Sequence, residues 1–117
     1  MKLTAIDHVS LGVSDLDIAL NFYCGVLGLK IAPRPDMGFP GAWLTLGDAQ
    51  VHLLERGIPK PDPGQHFAIR VDDLDSVVAE VRSCGVTVSD PVALPSGARQ
   101  AFFQDPDGNV LEVQERH

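Results

Sequence analysis

Three histidines and one glutamate carry most of the chemistry open to this 117-residue chain: His8, His52, His66 and Glu112. Imidazole nitrogen and carboxylate oxygen both bind borderline divalent ions, so the set has the ligand types of a Zn, Ni, Mn or Fe(II) site. Taken singly, each is an ordinary strand or edge residue, and His117 at the terminus is assigned to solvent. Their spacing argues otherwise. His8 and His66 stand 58 residues apart and His52 and Glu112 stand 60 apart, so the four form two matched pairs in a repeated chain.

The repeat also sets the elements that must position them. Ile6 to Asp17 matches Gly64 to Asp75, with Val13 on Val71 and Asp15-Leu16-Asp17 on Asp73-Leu74-Asp75. Each segment reads as an alternating strand, an aspartate suited to an N-cap, and apolar residues at helical spacing: Leu16, Leu20, Tyr23 and Leu27, then Leu74, Val77, Val78 and Val81. Gly28 and Gly85 can close these helices in the left-handed conformation. Strands are predicted at 29–32, 42–46 and 50–54 in the first half, and at 87–89, 100–104 and 109–114 in the second. Gly47-Asp48 and Asp105-Pro106-Asp107-Gly108 supply the tight connections. The predicted fold is therefore α+β: a single domain of two tandem βαβββ modules, about 1–57 and 65–117, joined by a Pro-rich linker at 58–64. They would form a cup-shaped mixed sheet with the helices outside.

Strand parity then assigns faces. Val9, Leu11 and Val13 oppose His8 and Ser10; Phe67 and Ile69 oppose His66 and Arg70; Leu111 and Val113 oppose Glu112 and Gln114. The aliphatic faces suit the helices, which leaves the His and Glu faces to line a site. Hairpin pairing puts Trp43 and Thr45 on the His52 face. Pairing around a four-residue turn, Asp105 to Gly108, puts Arg99, Ala101 and Phe103 on the Glu112 face. These residues would meet a substrate. Arg70 would bind a carboxylate or phosphate, or else form a surface salt bridge. The Pro- and Gly-rich loop at 33–41 is either a lid or a solvated connection.

The net charge of -7, with Lys and Arg scattered singly, speaks against nucleic acid or an anionic membrane as partner and for a small molecule. No apolar run has the length of a spanning helix, and Lys2 precedes any signal-type apolar core, so a cytoplasmic location is expected. Cys24 and Cys84 form no CxxC pair and are expected to be free thiols.

Three motifs carry a resemblance to a family: Ile6-Asp7-His8-Val9 leading into Val13-Ser14-Asp15-Leu16, Phe22-Tyr23 followed by Val26-Leu27-Gly28-Leu29, and Asp105-Pro106-Asp107-Gly108-Asn109 before Leu111-Glu112-Val113. Through them essentially the whole chain resembles the vicinal oxygen chelate superfamily, which includes glyoxalase I, extradiol dioxygenases, methylmalonyl-CoA epimerase and bleomycin-resistance proteins. The resemblance implies metal ligands at His8, His52, His66 and Glu112, although glyoxalase I usually has glutamate, and the epimerase glutamine, where His52 stands. It implies a metal-dependent lyase or isomerase acting on a small oxygenated substrate, with Glu112 as the catalytic carboxylate. It further implies a homodimer in which His8 and His52 of one chain face His66 and Glu112 of the other. Two alternatives accompany it: an Fe(II) dioxygenase using His8, His66 and Glu112, and a bleomycin-resistance-like dimer that sequesters a small molecule without metal. No pattern specifies a thiol cofactor.

Overall fold

Each helix begins where an aspartate satisfies otherwise orphaned backbone donors. The Asp15 carboxylate accepts from the Ile18 amide at 3.1 Å, and that of Asp73 from the Ser76 amide at 3.0 Å, both from extended N-cap conformations. In the computed structural model, which describes residues 1–56, 62 and 64–116, these caps open equivalent helices in two compact units, Met1–Pro59 and Lys60–His117.

In the first unit, β1 (His8–Val13) leads into α1 (Leu16–Leu20), and β2 (Lys30–Ala32), β3 (Gly41–Leu46) and β4 (Ala49–Glu55) follow. The sheet runs β1-β4-β3-β2, with β1 parallel to β4 and the remaining neighbours antiparallel. The second unit repeats this with β5 (His66–Arg70), α2 (Leu74–Ser83), β6 (Val92–Ala93), β7 (Arg99–Gln104) and β8 (Val110–Glu115), ordered β5-β8-β7-β6. This is the expected α+β class with a βαβββ order in each unit. Among the described residues no helix is long and apolar enough to cross a membrane. Residues 58–61 and 63 of the expected linker, and His117, lie outside the described residues. Both cysteines are free.

The helix-facing side of each sheet carries the core. Val13, Leu44, Val51 and Leu53 are buried in the first unit with Ala19, Phe22 and Tyr23; Ala101, Phe103, Leu111 and Val113 are buried in the second with Leu74, Val78 and Val81. Burying a side chain of this size stabilises by about 1.5–3 kcal/mol, so these rows fix which face of each strand is turned inward.

Both units add a second device that the repeat encodes. Glu55, at the end of β4, accepts from the Leu16 amide at 2.7 Å, and Glu115, at the end of β8, accepts from the Leu74 amide at 2.9 Å. Each carboxylate satisfies a first-turn donor and sits at the positive end of its helix.

The structure departs from expectation in three places. After Leu20 the first helix widens to a π-helical segment, Asn21–Val26, in which the Leu27 amide donates to the Phe22 carbonyl at 3.1 Å. The wider turn lets the consecutive residues Phe22 and Tyr23 both be buried. The predicted strand at 87–89 is instead a two-residue strand at Val92–Ala93. Ser89 already bonds Phe102, but Pro91 has no N–H to give, and regular pairing starts only beyond it.

The third departure sets the faces of the second sheet. The last hairpin closes at Gln104–Val110, so its turn has five residues rather than four. The Asp105 carboxylate accepts from the amides of Asp107 (2.9 Å) and Asn109 (2.8 Å), and its second oxygen accepts from the Asn109 side chain at 2.8 Å. Asn109 is thereby drawn out of the strand and into the turn. One extra turn residue shifts the pairing by one and reverses the facing of all of β7. Arg99, Ala101 and Phe103 consequently lie opposite Glu115, Val113 and Leu111 on the helix side, and not on the Glu112 face.

Candidate functional site

In the first unit, the open sheet face is built from alternate residues of three strands. Ser10 of β1 and Trp43 of β3 flank His52 of β4 in register, while His8 stands beside Gln50, which also faces Thr45. The sheet spacing stacks three rings: His8 on His52 at 3.9 Å between centroids and 14° between planes, and Trp43 on the other side of His52 at 4.4 Å and 5°. His52 is buried at 8% exposure. Burial pushes its pKa down, and the neighbouring His8 adds to the effect. A neutral ring agrees with its contact: Nε2 donates to the Gln50 side-chain oxygen at 2.8 Å, leaving Nδ1 with a lone pair. His8 donates from Nδ1 to the Asp7 carboxylate at 2.8 Å, which leaves Nε2 with a lone pair.

These rings edge a cavity of about 380 Å³ lined by Asp7, His8, Ser10, Arg34, Met37, Phe39, Trp43, Gln50, His52 and Leu54. The 33–41 loop supplies part of its wall. Glu55 N donates to the Pro40 carbonyl at 3.0 Å and Arg34 Nη2 to the Phe39 carbonyl at 3.0 Å.

In the second unit, Glu112 of β8 is flanked in register by Ala68 of β5 and Phe102 of β7. Glu112 is buried at 6% exposure, and one carboxylate oxygen meets His66 Nε2 at 3.0 Å while the other accepts from the Gln114 side-chain Nε2 at 3.2 Å. Gln114 in turn accepts from Arg116 Nε at 3.1 Å. His66 Nδ1 lies 3.2 Å from the Gly64 carbonyl oxygen, so both ring nitrogens have a polar neighbour. Phe102 packs edge-on against His66 at 5.4 Å.

The sequence-predicted residues thus assemble as two pairs, His8 with His52 and His66 with Glu112. Trp43 and Thr45 do share the His52 face, and Arg70 shares the Glu112 face opposite Gln114. Arg99 and Phe103 do not line it. Arg99 makes a two-pronged ion pair with Asp75 of α2 at 2.9 and 3.1 Å, and Phe103 is core. Sequence reasoning missed Arg34, Gln50 and Phe102. The signal for Phe102 was present, since Trp43 and Phe102 are 59 residues apart, one short of the His52–Glu112 spacing.

The donor types fit a divalent ion, and in the second pair an imidazole nitrogen and a carboxylate oxygen already stand 3.0 Å apart, bonded to each other. The first pair does not yet converge: two rings stacked 3.9 Å apart aim their lone pairs along parallel planes, so chelation by both requires the more exposed His8 to turn. Among the described residues no three His, Cys, Asp or Glu side chains gather into a metal-type cluster.

Comparison with known proteins agrees with this architecture. The model of the Glyoxalase/Bleomycin resistance protein/Dioxygenase superfamily matches residues 5–113. A lactoylglutathione lyase of Haemophilus influenzae is 32% identical, over 92% of this chain and 90% of its own. Among solved structures, a glyoxalase family protein from Enterococcus faecalis superposes with a TM-score of 0.84 at 26% identity, covering 98% of this chain and 100% of that one. TnmS3, an antibiotic binding protein from Streptomyces sp. CB03234, superposes with a TM-score of 0.85 at 28% identity, covering 100% and 99%.

Proposed function

The chain belongs to the Glyoxalase/Bleomycin resistance protein/Dioxygenase superfamily, and from that premise we propose that it is a metal-dependent, glyoxalase-like lyase or isomerase acting on a small oxygenated substrate. The observation that carries this reading is the 3.0 Å contact of His66 with Glu112, matched at equivalent repeat positions by His8 with His52. Each pair is half of a four-ligand set, and we propose that the set is completed in a homodimer, His8 and His52 of one copy with His66 and Glu112 of the other.

A divalent ion there, Ni, Zn, Mn or Fe(II), would supply Lewis-acid polarisation of a substrate oxygen. Glu112 is the proton-transfer group. His66 and Gln114 hold its carboxylate from both sides, and it is the carboxylate on this sheet face. The stacked rings of His8, His52 and Trp43 would meet the substrate along their edges, with Thr45 and Arg70 as polar contacts at the rims of the two faces. The name of the Haemophilus relative suggests the thiol adduct of an α-oxoaldehyde as the first substrate to try.

The test is elemental analysis of the purified protein after exposure to each of the four metals, for wild type and Glu112→Gln. Near-stoichiometric metal in wild type and at least tenfold weaker retention in the variant is expected. Equal metal in both, or none in either, refutes the proposal. A second reading, sequestration of a flat ligand without chemistry, is favoured by the His8–His52–Trp43 stack and the likeness to TnmS3. It predicts tight ligand binding that Glu112→Gln leaves unchanged.

A further inference from the structure

Arg34 is the cation of the first unit's cavity wall, and its surroundings use little of what a guanidinium offers. One of its five N–H groups donates to the Phe39 carbonyl at 3.0 Å, and the group lies over the Phe39 ring with Cζ 5.1 Å from the centroid. Its Nε is buried with no hydrogen-bond acceptor. Among the described residues no carboxylate pairs with it, although the chain has 16 acidic side chains against nine basic ones. Asp7, the acid in the same wall, is turned to His8 instead.

The chain also makes room for this cation. A Cβ at Gly41 would fall 2.9 Å from Arg34 Nη2 and 2.5 Å from the Leu53 carbonyl oxygen, so only glycine lets the guanidinium lie against β3. Arg56 approaches the same Phe39 ring, its Cζ 4.7 Å from the centroid, and raises the positive potential at this end. Burial closes Nε to a ligand, so the donors on offer are the terminal N–H groups; a half-buried arginine held against an aromatic wall without an acidic partner is a site for an external oxyanion, and its two Nη atoms match a carboxylate end-on.

We propose that Arg34 anchors the carboxylate of a small 2-hydroxy or 2-oxo acid in this cavity, with the adjacent oxygen directed to the His8–His52 end. The cavity, at about 380 Å³, has room for such an acid together with further substituents, and Trp43 lies in its wall. This inference deepens the proposed function by giving its substrate a charge. It does not depend on the metal, because the anchor belongs to the protein alone.

The test uses a reporter that the site already contains. Trp43 is the chain's one tryptophan and lines the cavity, so its fluorescence reads occupancy directly. The full chain is titrated in the presence of EDTA with lactate and with propane-1,2-diol, its neutral counterpart of the same carbon skeleton, and again with inorganic phosphate. Lactate should change the emission saturably, the diol at least tenfold more weakly, and phosphate no better than the diol. Arg34→Gln should weaken the lactate response at least tenfold with an unchanged far-UV circular dichroism spectrum, and Arg34→Lys should recover part of it.

Equal lactate binding by Arg34→Gln, equal binding of lactate and diol, or no lactate response in wild type would each overturn the proposal. Tighter binding of phosphate than of lactate would overturn the carboxylate assignment. Metal retention measured on Arg34→Gln separates the two readings: it should equal wild type whether or not the anion result holds.

Discussion

Phe102 and Phe103 are adjacent in sequence, yet the five-residue turn assigns them to opposite faces of β7, and their replacement should therefore have unequal costs. Phe103 is 3% exposed among Leu111, Ala101 and the other core residues, so Phe103→Ala removes a whole aromatic ring from a close-packed interior. Such truncations cost about 3–5 kcal/mol. Phe102 is half-buried on the Glu112 face, where its main packing partner is the edge contact with His66. Phe102→Ala should cost about 1 kcal/mol, of the size of one aromatic pair plus partial burial. With a urea slope of about 2 kcal/mol/M, the midpoint should fall by about 2 M for Phe103→Ala and by about 0.5 M for Phe102→Ala. Urea unfolding followed by circular dichroism gives both values. Equal shifts, or a larger shift for Phe102→Ala, would mean that the turn has four residues and that Arg99 and Phe103 face the site after all.

Two further outcomes follow from contacts away from the His8–His52 and His66–Glu112 pairs. Gly41→Ala should destabilise the first unit by about 1–3 kcal/mol, because the new methyl meets the Leu53 carbonyl oxygen, and should also displace Arg34; thermal melts and the lactate titration read the two effects separately. The Arg99 guanidinium, by hydrogen bond, holds the Asp75 carboxyl below its usual pKa. A depressed folded-state pKa gives stability that is present above the unfolded aspartate value and is lost as pH falls through the folded one. Asp75→Asn should therefore flatten the acid limb of the stability profile below about pH 4, where model aspartates titrate, and the same slope in both proteins between pH 2 and 5 would contradict it.

The repeat made most of the architecture legible. His8 and His66, the two capping aspartates and the apolar helix rows fall at matching positions; Leu74, Val78 and Val81 of the second row are buried, whereas of the first row only Tyr23 is, joined by Ala19 and Phe22. Parity also paired Trp43 with His52, because the two-residue Gly47-Asp48 turn leaves one register open. It failed at the second hairpin because the deciding interaction, Asp105 capturing the Asn109 amide, is a side-chain contact that no alternation of apolar residues encodes. The strand expected at 87–89 begins only at Val92, because Pro91 has no N–H to pair. Arg34 was invisible for a different reason. It sits in an irregular loop, where no periodicity assigns a face, and its role emerges only from the carbonyl, ring and glycine that surround it.

Glu55 and Glu115 give the two site-bearing strands a consequence of their own. Three residues along β4 from His52, and three along β8 from Glu112, the same strand clamps the first turn of its helix through a carboxylate on the opposite face. The site wall and the helix start are thus two ends of one rigid lever. A sideways slip of β4 or β8 would break a helix cap at the same moment that it moved His52 or Glu112. Side chains on the open faces of these strands can therefore be varied residue by residue, while sliding of either strand as a whole is opposed from its far side.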